Sequence, residues 1–366
     1  MDYDDGDWRG GGGGYSGGGV RGSVGLRNLG NTCFMNSTLQ CMNATPVLAD
    51  FFVDGDYTSE INPDAYKSHG RIAREFGKLL KEMWDRRPHT VTPSRFKSAI
   101  GDYSDRFSGY QQQDSQELLA ALLEGLHEDL NRVRKKPYDP NPVIGNGEDD
   151  EEKAQLSWSK HRKREDSVII DNIYGQIRSQ VICPACNRAS VKFDPCGILQ
   201  LPFPNVDTKV VTLEGCLRGF TKEELLSAGN EYKCDHCGHE GRGKKKLDLW
   251  RLPNILIIQL KRFQYTRHYR SKIETYVEYP LEGLDMSPWT RCEAQKKDST
   301  YDLFAVSCHG GGLGGGHYWA YAKNLIDKQK WYTLNDSSVS RMSPEKVRTS
   351  DAYLLFYVKR GATQKK

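Results

Sequence analysis

Hydrophobic positions in the first half of the chain recur at intervals of three and four residues, a period that predicts amphipathic helices. The strongest pattern spans residues 109–134, where leucines form a broad apolar stripe, and a second spans residues 71–84. Shorter helical patterns lie at residues 46–52 and 95–100, and a further helix is predicted to start at Cys33. The first half is therefore predicted to be mainly helical.

From residue 167 onward, β-branched and aromatic residues dominate, which predicts strands. The predicted strands are residues 167–182, 190–193, 198–201, 210–212, 246–252, 254–263, 301–309, 317–324, 330–334 and 353–359, with one short helix at 213–226. Residues 246–252 and 254–263 are expected to pair with each other. Between the two halves, proline and glycine at 137–147 precede an acidic run (148–152) and a basic run (160–164), which we expect to form a surface excursion without a site. The fold class is therefore α+β.

Composition narrows the class of protein. The 366 residues carry a net charge of +4, with 52 basic and 48 acidic side chains, so no nucleic-acid partner is expected. No apolar run approaches the 18 or so residues of a membrane span, and the N-terminus has no secretory h-region. We expect an intracellular, cytoplasmic or nuclear protein, monomeric and without membrane contact. Residues 1–23 form an acidic and glycine-rich tail that is expected to be disordered, and residues 361–366 form a second tail.

A metal site is predicted from the C-x2-C-x47-C-x2-C pattern of Cys183, Cys186, Cys234 and Cys237. Each pair can close a tight turn around one cation, and four thiolates complete the tetrahedral set of structural Zn²⁺. The alternative is a set of unbound thiols. His236 and His239 stand beside the second pair and could replace a ligand, although the four-thiolate set is complete without them. The long separation predicts that a small sheet and a helix join the two pairs.

Cys33 stands where a loop rich in glycine and asparagine gives way to a helical pattern. Asn31 and Thr32 are expected to cap the free N–H groups of the first turn. These amides and the positive end of the helix dipole favour the nucleophilic thiolate over the thiol. The alternative is that Cys33 is a small buried apolar residue, as most lone cysteines are. Catalysis by Cys33 therefore requires a base from elsewhere in the chain.

A base is available in the C-terminal third. A thiol protease needs an imidazole near the sulfur and a third side chain that fixes the tautomer of that imidazole. His317 begins a predicted strand directly after the segment GGGLGGG, and Asn335 and Asp336 end the neighbouring strand. One sheet edge can therefore bring all three side chains together. His309, which precedes the glycine segment, is the rival base.

These motifs, in this order, resemble those of the ubiquitin-specific proteases, a family of cysteine deubiquitinases. Residues 25–40 resemble the Cys box of the family and residues 301–357 its His box, while GYQQQDSQE, the two C-x-x-C pairs and LIIQLKRF match the blocks between them. The resemblance covers roughly residues 24–359. It implies a papain-like cysteine protease fold over residues 24–360. The thumb would span about 25–166, the zinc-ribbon fingers and part of the palm about 167–260, and the remaining palm about 261–360.

The resemblance also implies roles for individual residues. Cys33 would be the nucleophile, His317 the general base, and Asn28 the side chain whose amide supports the oxyanion. The family often has Asp at the position of Asn335, followed by a second Asp that Asp336 matches. An Asn can still accept from the imidazole through its carbonyl oxygen. We therefore expect Asn335 to orient the imidazole, with Asp336 as a supporting or substitute partner.

For the substrate, the resemblance implies ubiquitin and ubiquitinated proteins. Asp114 and Glu117 match positions that bind the basic residues of the ubiquitin tail, with helix capping as the alternative role. The glycine segment resembles a blocking loop that moves aside when ubiquitin enters. Around it, the expected substrate-binding residues are Gly315, Gly316, Tyr318 and His309.

The favoured function is therefore a thiol-dependent deubiquitinase that works through a Cys33 acyl-enzyme and needs no cofactor beyond structural zinc. Three alternatives stand beside it. A protease for another ubiquitin-like modifier with a Gly-Gly tail would share the chemistry. A catalytically inactive ubiquitin-binding scaffold would share the fold, although the intact catalytic set argues against it. A zinc-ribbon nucleic-acid module would use the basic runs 160–164 and 242–246, but it leaves Cys33 and His317 unexplained.

Overall fold

The structure, a computed structural model, describes residues 20–85, 89–204, 208–265, 270–312 and 315–362. Most of the predicted N-terminal tail and residues 363–366 lie outside the described residues. Residues 20–23 do not: Val20 and Ser23 form a β-bridge, and the Gly22 N–H donates to the Met83 carbonyl over 3.1 Å. The packed part of the chain therefore includes residues that the sequence pattern assigned to the tail.

Helices dominate the described chain up to residue 173. The α-helices are α1 (Cys33–Asn43), α2 (Pro46–Ala49), α3 (Arg71–Trp84), α4 (Ser94–Tyr103), α5 (Ser115–Asp129), α6 (Asp150–Arg162), α7 (Val168–Ile173), α8 (Leu213–Thr221) and α9 (Glu293–Lys296). A π-helical turn, Asp50–Asp54, continues α2, and single 3-10 turns lie at Tyr57–Glu60, Asp105–Phe107, Ser287–Trp289 and Pro344–Val347. Among the described residues, no helix has the length and apolar character that a membrane crossing requires.

From residue 175 onward strands dominate, and two short strands lie earlier in the chain. In chain order the strands are β1 (Gly25–Leu26), β2 (Thr90–Val91), β3 (Gly175–Ile182), β4 (Ala189–Cys196), β5 (Leu199–Leu201), β6 (Val210–Thr212), β7 (Glu224–Leu225), β8 (Tyr232–Lys233), β9 (Glu240–Gly241), β10 (Lys244–Arg251), β11 (Ile255–Leu260), β12 (Phe263–Tyr265), β13 (Arg270–Lys272), β14 (Tyr276–Glu278), β15 (Leu284–Asp285), β16 (Thr300–Gly312), β17 (Gly315–Lys323), β18 (Trp331–Asn335), β19 (Ser338–Arg341) and β20 (Ala352–Lys359).

Two larger sheets organise these strands. The eight-stranded sheet has the order β19-β18-β17-β16-β20-β11-β5, with β15 paired to β16. The four-stranded sheet has the order β4-β3-β10-β7. In the larger sheet, β11 is antiparallel to β20 and parallel to β5. The long hairpin β16–β17 pairs His309 with Tyr318 and Gly310 with His317, so both candidate bases lie near one end of that sheet.

The eight-stranded sheet has an apolar core on each face. Successive side chains of a strand point to opposite faces. Along β11, Ile255 and Ile257 therefore pack into the core shared with the helices, whereas Leu256, Ile258 and Leu260 pack into the second core, on the side of α8. All six residues of β11 are buried, which explains why five of them are apolar. The sixth, Gln259, donates from Nε2 to the Tyr353 hydroxyl over 2.8 Å.

Helix α1 is the element that joins the helical layer to the sheet. Every one of its 11 residues is buried, polar ones included. Ser37 Oγ donates to the Trp319 carbonyl on β17 over 2.9 Å, and Thr38 Oγ1 donates to the Ser115 carbonyl at the start of α5 over 3.2 Å. These bonds satisfy polar side chains that burial would otherwise penalise, and they fix the position of Cys33 at the N-terminus of α1.

Three predicted elements differ in the structure. The helix predicted over residues 109–134 is shorter, because Asp114 caps α5 and its carboxylate accepts from Gln116 N over 2.7 Å. Residues 168–173 are helical rather than extended, since Ser167 Oγ accepts from Ile170 N and this cap starts α7. The charged stretch expected as a surface excursion contains the helix α6. Its acidic first turn and basic last turn suit the helix dipole.

The predicted pairing of residues 246–252 with 254–263 is wrong. Strand β10 pairs with β3 and β7 in the four-stranded sheet, whereas β11 pairs with β20 and β5 in the eight-stranded sheet. Leu252, Pro253 and Asn254 separate the two strands, and Pro253 lacks the N–H that would continue a ladder. The chain therefore crosses from one sheet to the other at this point.

Candidate active site

The loop before α1 is built around the side chain of Asn28. Its Oδ1 accepts from the backbone N–H of Gly30 over 3.0 Å and of Thr32 over 3.1 Å, so the loop folds around one amide oxygen. The expected caps differ: Thr32 occupies the N-cap position without a side-chain cap, and its Oγ1 accepts from Leu29 N instead. Asn31 Nδ2 donates to the Tyr110 carbonyl, away from the helix. Cys33 at the start of α1 is only 2% exposed.

The loop is docked against the turn that follows β18. Leu26 N donates to the Asp336 carbonyl over 2.8 Å. At Gly25, a Cβ atom would lie 2.4 Å from the Ser337 carbonyl oxygen, so only glycine permits the two backbones to approach this closely. Segments about 300 residues apart in the chain are thus held in contact beside Cys33.

His317 and Asn335 form the hydrogen bond that the sequence predicted between neighbouring strands. His317 Nε2 and Asn335 Oδ1 are 2.6 Å apart. An amide oxygen only accepts, so Nε2 carries the proton and Nδ1 keeps a lone pair. The ring also stacks on Trp319, two residues along β17, with the centroids 6.2 Å apart and 21° between the planes. The imidazole is therefore fixed in the tautomer that can take a proton at Nδ1.

Asp336 occupies a different position from Asn335. Its backbone is left-handed, with φ of +47°, which turns the carboxylate toward the loop before α1. Asn28 Nδ2 donates to Asp336 Oδ2 over 2.9 Å, and Asn36 Nδ2 donates to Asp336 Oδ1 over 2.7 Å. Among the described residues, no hydrogen bond joins Asp336 to His317. Asn36 was not identified as a site residue from the sequence. Its only signal in the sequence was its place one helical turn after Cys33.

The Cys33 thiol lies against β17. The backbone N–H of Tyr318, the residue after His317, is near enough to the sulfur to favour its ionised form. Burial raises the pKa of the Cys33 thiol above its ordinary value, and the negative charge of Asp336 adds to this, while the Tyr318 amide offsets part of it. The expected preference for thiolate is therefore reversed in the free protein. In the part of the chain that the structure describes, no hydrogen bond joins the Cys33 sulfur to the His317 ring.

The glycine-rich end of the β16–β17 hairpin, residues 310–312 and 315–316, is called the glycine hairpin below. His309, the rival base, lies underneath it. It is 4% exposed, and its ring packs against Tyr318 and Phe263 with centroids 4.5 and 5.2 Å apart. Burial, together with the positive charge of Lys272 and the neighbouring His317, lowers the pKa of His309 to about 4. Its ring is therefore neutral at pH 7, and we place it in the wall of the adjacent cleft.

A cleft of about 220 Å³ lies between the start of α5 and the glycine hairpin. Its walls include Gln112, Asp114, Glu117, Phe263, His309 and Tyr318. The Asp114 carboxylate caps α5 and accepts from the Tyr353 hydroxyl over 2.8 Å, and burial raises the pKa of Asp114 above its ordinary value. Glu117 forms an ion pair with Arg106. The two acids predicted as substrate-binding thus do line one cleft, and Asp114 also serves as a helix cap.

The four cysteines of the predicted metal site converge. Their sulfur atoms lie within 4.8 Å of one another, and the pairs Cys183–Cys237 and Cys186–Cys234 are each 3.7 Å apart. A tetrahedron with Zn–S bonds of about 2.3 Å has edges of about 3.8 Å, so the set has the size and donor chemistry that Zn²⁺ requires. The distances also rule out disulfides within the cluster. His236 and His239 are not part of the cluster that the described residues form.

Left-handed residues close both turns of this cluster. Asn187 and Gly238, which directly follow the two C-x-x-C pairs, have φ of +57° and +70°. Each turn is tied by a backbone bond to its first cysteine, from Asn187 N to the Cys183 carbonyl and from Gly238 N to the Cys234 carbonyl. Asparagine and glycine tolerate this conformation, so the sequence encodes the turns as well as the thiols.

Comparisons with known proteins agree with this geometry. The family profile described as "UCH: Ubiquitin carboxyl-terminal hydrolase" matches residues 24–357. "Ubiquitin carboxyl-terminal hydrolase 2" of Rattus norvegicus is 43% identical over 339 residues, which cover 92% of this chain and 54% of that protein. The protein of the same name from Homo sapiens is 42% identical, with 92% of this chain and 55% of that protein covered. The chain thus spans about half the length of these curated relatives.

Solved structures give the same result for the fold. The SAGA Ubp8/Sgf11/Sus1/Sgf73 DUB module bound to ubiquitin aldehyde matches with a TM-score of 0.69 and 25% identity, over 93% of this chain and 70% of that chain. A related structure of the module bound to monoubiquitin matches with a TM-score of 0.70, 25% identity and the same coverage.

The fold is α+β and papain-like, with a helical thumb, a palm of sheet and a finger-like sheet that ends in the four-cysteine cluster. Its cysteine at a helix N-terminus, beside a histidine and an asparagine on adjacent strands, has the arrangement of a cysteine hydrolase. The chain belongs to the ubiquitin carboxyl-terminal hydrolase family, within which its motifs are those of the ubiquitin-specific proteases.

Proposed function

We propose that this protein is a thiol-dependent deubiquitinase, which hydrolyses the peptide or isopeptide bond after the C-terminal glycine of ubiquitin. One observation carries the proposal: the sheet edge that bears the His317–Asn335 hydrogen bond also binds the first turns of α1, through Asn36 Nδ2 donating to Asp336 Oδ1 over 2.7 Å and Ser37 Oγ donating to the Trp319 carbonyl over 2.9 Å. A candidate nucleophile at the start of α1 and an oriented base on β17 are thus held next to each other. Membership of the family and the likeness to a module bound to ubiquitin aldehyde support ubiquitin as the substrate.

In the proposed reaction, the Cys33 sulfur attacks the carbonyl carbon of the terminal glycine. His317 takes the thiol proton at Nδ1 and gives it to the departing lysine amine, which leaves an acyl-enzyme on Cys33. Water then releases ubiquitin, with His317 acting as the base again. The Asn335 carbonyl oxygen keeps the ring in the required tautomer and stabilises the imidazolium that forms.

Asn28 is the proposed oxyanion donor. Its Nδ2 carries two N–H bonds, one of which donates to Asp336, and we assign the second to the oxygen that becomes negative during attack. The contacts of Asn28 Oδ1 with the loop amides and of Asp336 with Asn28 hold this donor in place before substrate binds. A donor that is already oriented stabilises charge without the cost of reorganisation. Asp336 therefore acts as a positioning residue for Asn28.

The cleft beside the glycine hairpin is the proposed channel for the ubiquitin tail. Asp114 and Glu117 give it negative charge, which suits a basic peptide, and Gly312, Gly315 and Gly316 add no side chains that would narrow it. Gly315, Gly316, Tyr318 and His309 would contact that peptide. Arg106, which pairs with Glu117, would be exchanged for a substrate cation.

For the four-cysteine cluster we propose a structural Zn²⁺ held by Cys183, Cys186, Cys234 and Cys237. The converging thiols and their 3.7 Å separations support this assignment. Four thiolates leave no open coordination position, so the ion would supply folding energy to the end of the finger sheet and no chemistry. All ten cysteines are free thiols, which supports our proposal of an intracellular, reducing location. A monomeric state remains a prediction.

The nucleic-acid alternative loses its main support in the structure. Four of the eight Lys and Arg side chains in its basic runs form ion pairs: Lys160 with Asp139, Arg162 with Asp166, Lys244 with Glu223 and Lys246 with Asp248. Residues 160–162 also belong to helix α6 instead of the loop that was expected. Phosphate binding would have to break these pairs.

The decisive experiment combines two substrates and one variant. A fluorogenic ubiquitin C-terminal conjugate should be hydrolysed by the wild type and not by Cys33→Ala, whereas a ubiquitin-derived electrophile should label Cys33 of the wild type. Labelling without turnover would indicate an inactive scaffold. Parallel assays with conjugates of other modifiers ending in Gly-Gly identify the modifier, and a panel of linked di-ubiquitins then gives the linkage preference. Normal hydrolysis by Cys33→Ala would refute the mechanism.

A further inference from the structure

The glycine hairpin is bound across the cleft by one side chain. Gln112 Nε2 donates to the Gly316 carbonyl over 2.9 Å, and the Gly316 N–H points back at Gln112 Oε1 over 3.4 Å. A carboxamide has the same donor and acceptor as a peptide unit. The pair therefore has the form of one rung of a β-ladder, in which a side chain takes the place of a second strand.

The edge of β17 at Gly316 is otherwise open. On one side, Gly316 is paired in register with Gly311 of β16. On the other side, β18 begins its pairing only at Ala320, opposite Leu334. No strand of the described chain pairs with this edge of Gly316, and the Gln112 side chain binds there instead. This edge directly precedes His317, so whatever pairs with it lies beside the proposed base.

The two strands of the hairpin are held in different ways. Lys272, whose side chain is only 6% exposed, donates from Nζ to the His309 carbonyl over 2.6 Å and to the Gly311 carbonyl over 3.2 Å, both on β16. Gln112 is exposed, so its bonds to β17 exchange readily with water or another peptide. An exposed neutral hydrogen bond has little net stability. The β16 side is thus anchored and the β17 side is replaceable.

Gly316 also has to stay a glycine for this exchange. A Cβ atom there would lie 2.2 Å from Nε2 of the buried His309, so a side chain at this position would push the strand toward the cleft. With glycine, the strand edge lies flat against the His309 ring. It presents only backbone to the cleft.

We propose that Gln112 is a latch on the tail channel: in the free protein it occupies the backbone edge of Gly316, and the extended backbone of the substrate tail replaces it there. This inference rests on the proposed function and deepens it. Gln112 therefore competes with the substrate tail for the Gly316 edge, whereas Asp114 and Glu117 would attract the substrate tail. The substrate gains the bonds to Gly316 only after the Gln112 bonds are broken.

Steady-state hydrolysis of the fluorogenic ubiquitin conjugate by the full chain tests the latch. Gln112→Ala removes both bonds, and we expect KM to fall about 3- to 10-fold while kcat changes less than about 2-fold. Gln112→Asn, one methylene shorter, should give the same direction. The matched control is Gln111→Ala, which changes an exposed glutamine one residue away that has no hydrogen bond to the described residues of the hairpin. A rise in KM for Gln112→Ala, or no change, would overturn the latch.

A second measurement is independent of activity. The Gly316 amide should exchange its hydrogen faster in Gln112→Ala than in the wild type, by about 3- to 10-fold, and at the wild-type rate in Gln111→Ala. Unchanged exchange at Gly316 means that no latch exists, even in an active enzyme. If the wild type does not hydrolyse the conjugate but exchange responds as expected, the latch holds and the proposed substrate fails. The two failures are thereby distinguished.

Discussion

The Nε2 atom of His317 donates to Oδ1 of Asn335 over 2.6 Å, while the carboxylate of the very next residue points at the opposite wall of the site. Adjacent residues in the chain thus orient two different groups, the proposed base His317 and the proposed oxyanion donor Asn28. The left-handed backbone of Asp336 is what separates them.

This division predicts unequal effects of two neighbouring substitutions. Asn335→Ala removes the acceptor that fixes the tautomer of His317 and should lower kcat on the ubiquitin conjugate by on the order of 10² or more. Asn335→Asp keeps an acceptor and should retain most of the activity. Asp336→Ala should have a smaller effect, through the positions of Asn28 and Asn36. If Asp336→Ala is the more damaging change, the roles of the two residues are exchanged.

The oxyanion assignment predicts a specific loss at Asn28. Asn28→Ala should reduce kcat by about 10²- to 10³-fold with little change in KM, because the donor acts on charge that develops during attack. Asn31→Ala in the same loop is the control, since its amide binds the Tyr110 carbonyl on the far side. Thermal melting of both variants separates loss of the donor from loss of the loop. An equal loss of kcat in both variants would argue against the assignment.

The pKa of Cys33 predicts how its thiol reacts in the absence of substrate. Because burial raises this pKa, the thiolate fraction at pH 7 is low and increases with pH. Alkylation of Cys33 by iodoacetamide, followed by peptide mass spectrometry, should therefore show a midpoint above about 8.5, the ordinary value. His317→Ala should leave the midpoint nearly unchanged. A midpoint well below 8.5 in the wild type, lost in His317→Ala, would show an ion pair in the free protein.

The four-cysteine cluster predicts one zinc per chain. Metal analysis of the purified protein should give that stoichiometry, and the double variant Cys234→Ser and Cys237→Ser should lose the ion and melt at a lower temperature. Cys196→Ser is the matched control, because this half-buried thiol lies outside the cluster and donates to the Ile198 carbonyl. Retention of zinc by the double variant would contradict the assignment of these cysteines as ligands.

Glu165 predicts an acid-sensitive contribution to stability. Burial opposes its ionisation, but hydrogen bonds with His127 and Lys136 outweigh burial and lower the pKa of Glu165 to about 2. A carboxyl with a lowered pKa stabilises the fold above about pH 4.5, and this stability is lost as the pH falls toward 2. Glu165→Gln should therefore reduce the free energy of unfolding at pH 7 by about 2 kcal/mol, and by much less near pH 2.

Denaturant unfolding at several pH values measures this effect. Glu152→Gln is the control, since that side chain is 75% exposed and its ion pair with Lys153 contributes little. An equal loss of stability for Glu165→Gln at pH 2 and pH 7 would contradict the ionic origin of the effect.

Local patterns in the sequence were sufficient for much of the site. The glycine segment and the alternating strands placed His317 and Asn335 at the same sheet edge, because hairpin partners close in sequence have few possible registers. The C-x-x-C pairs, followed by Asn187 and Gly238, contained both the ligands and the turns that bring them together. The family resemblance added the order of the blocks, which the fold and the family match confirm.

Errors arose where tertiary contacts override local preference. The β-branched residues of 168–173 favour a strand, yet a cap from Ser167 and burial of one face make them helical. Likewise, the two segments predicted as strands on either side of Pro253 were expected to pair with each other, but each segment pairs within a different sheet.

The sequence by itself determined which groups are the candidates for the chemistry: the Cys33 thiol, the His317 imidazole, the Asn335 amide and the four thiols of the proposed zinc site. Only the tertiary structure decided the ionisation of these groups and the side chains that bind beside them. Burial reversed the expected ionisation of Cys33, the backbone of Asp336 directed its carboxylate to Asn28 and Asn36, and Gln112 met Gly316 across about 200 residues of chain. Desolvation and such long-range hydrogen bonds depend on what surrounds a group in space, and neither periodicity nor spacing along the chain encodes that.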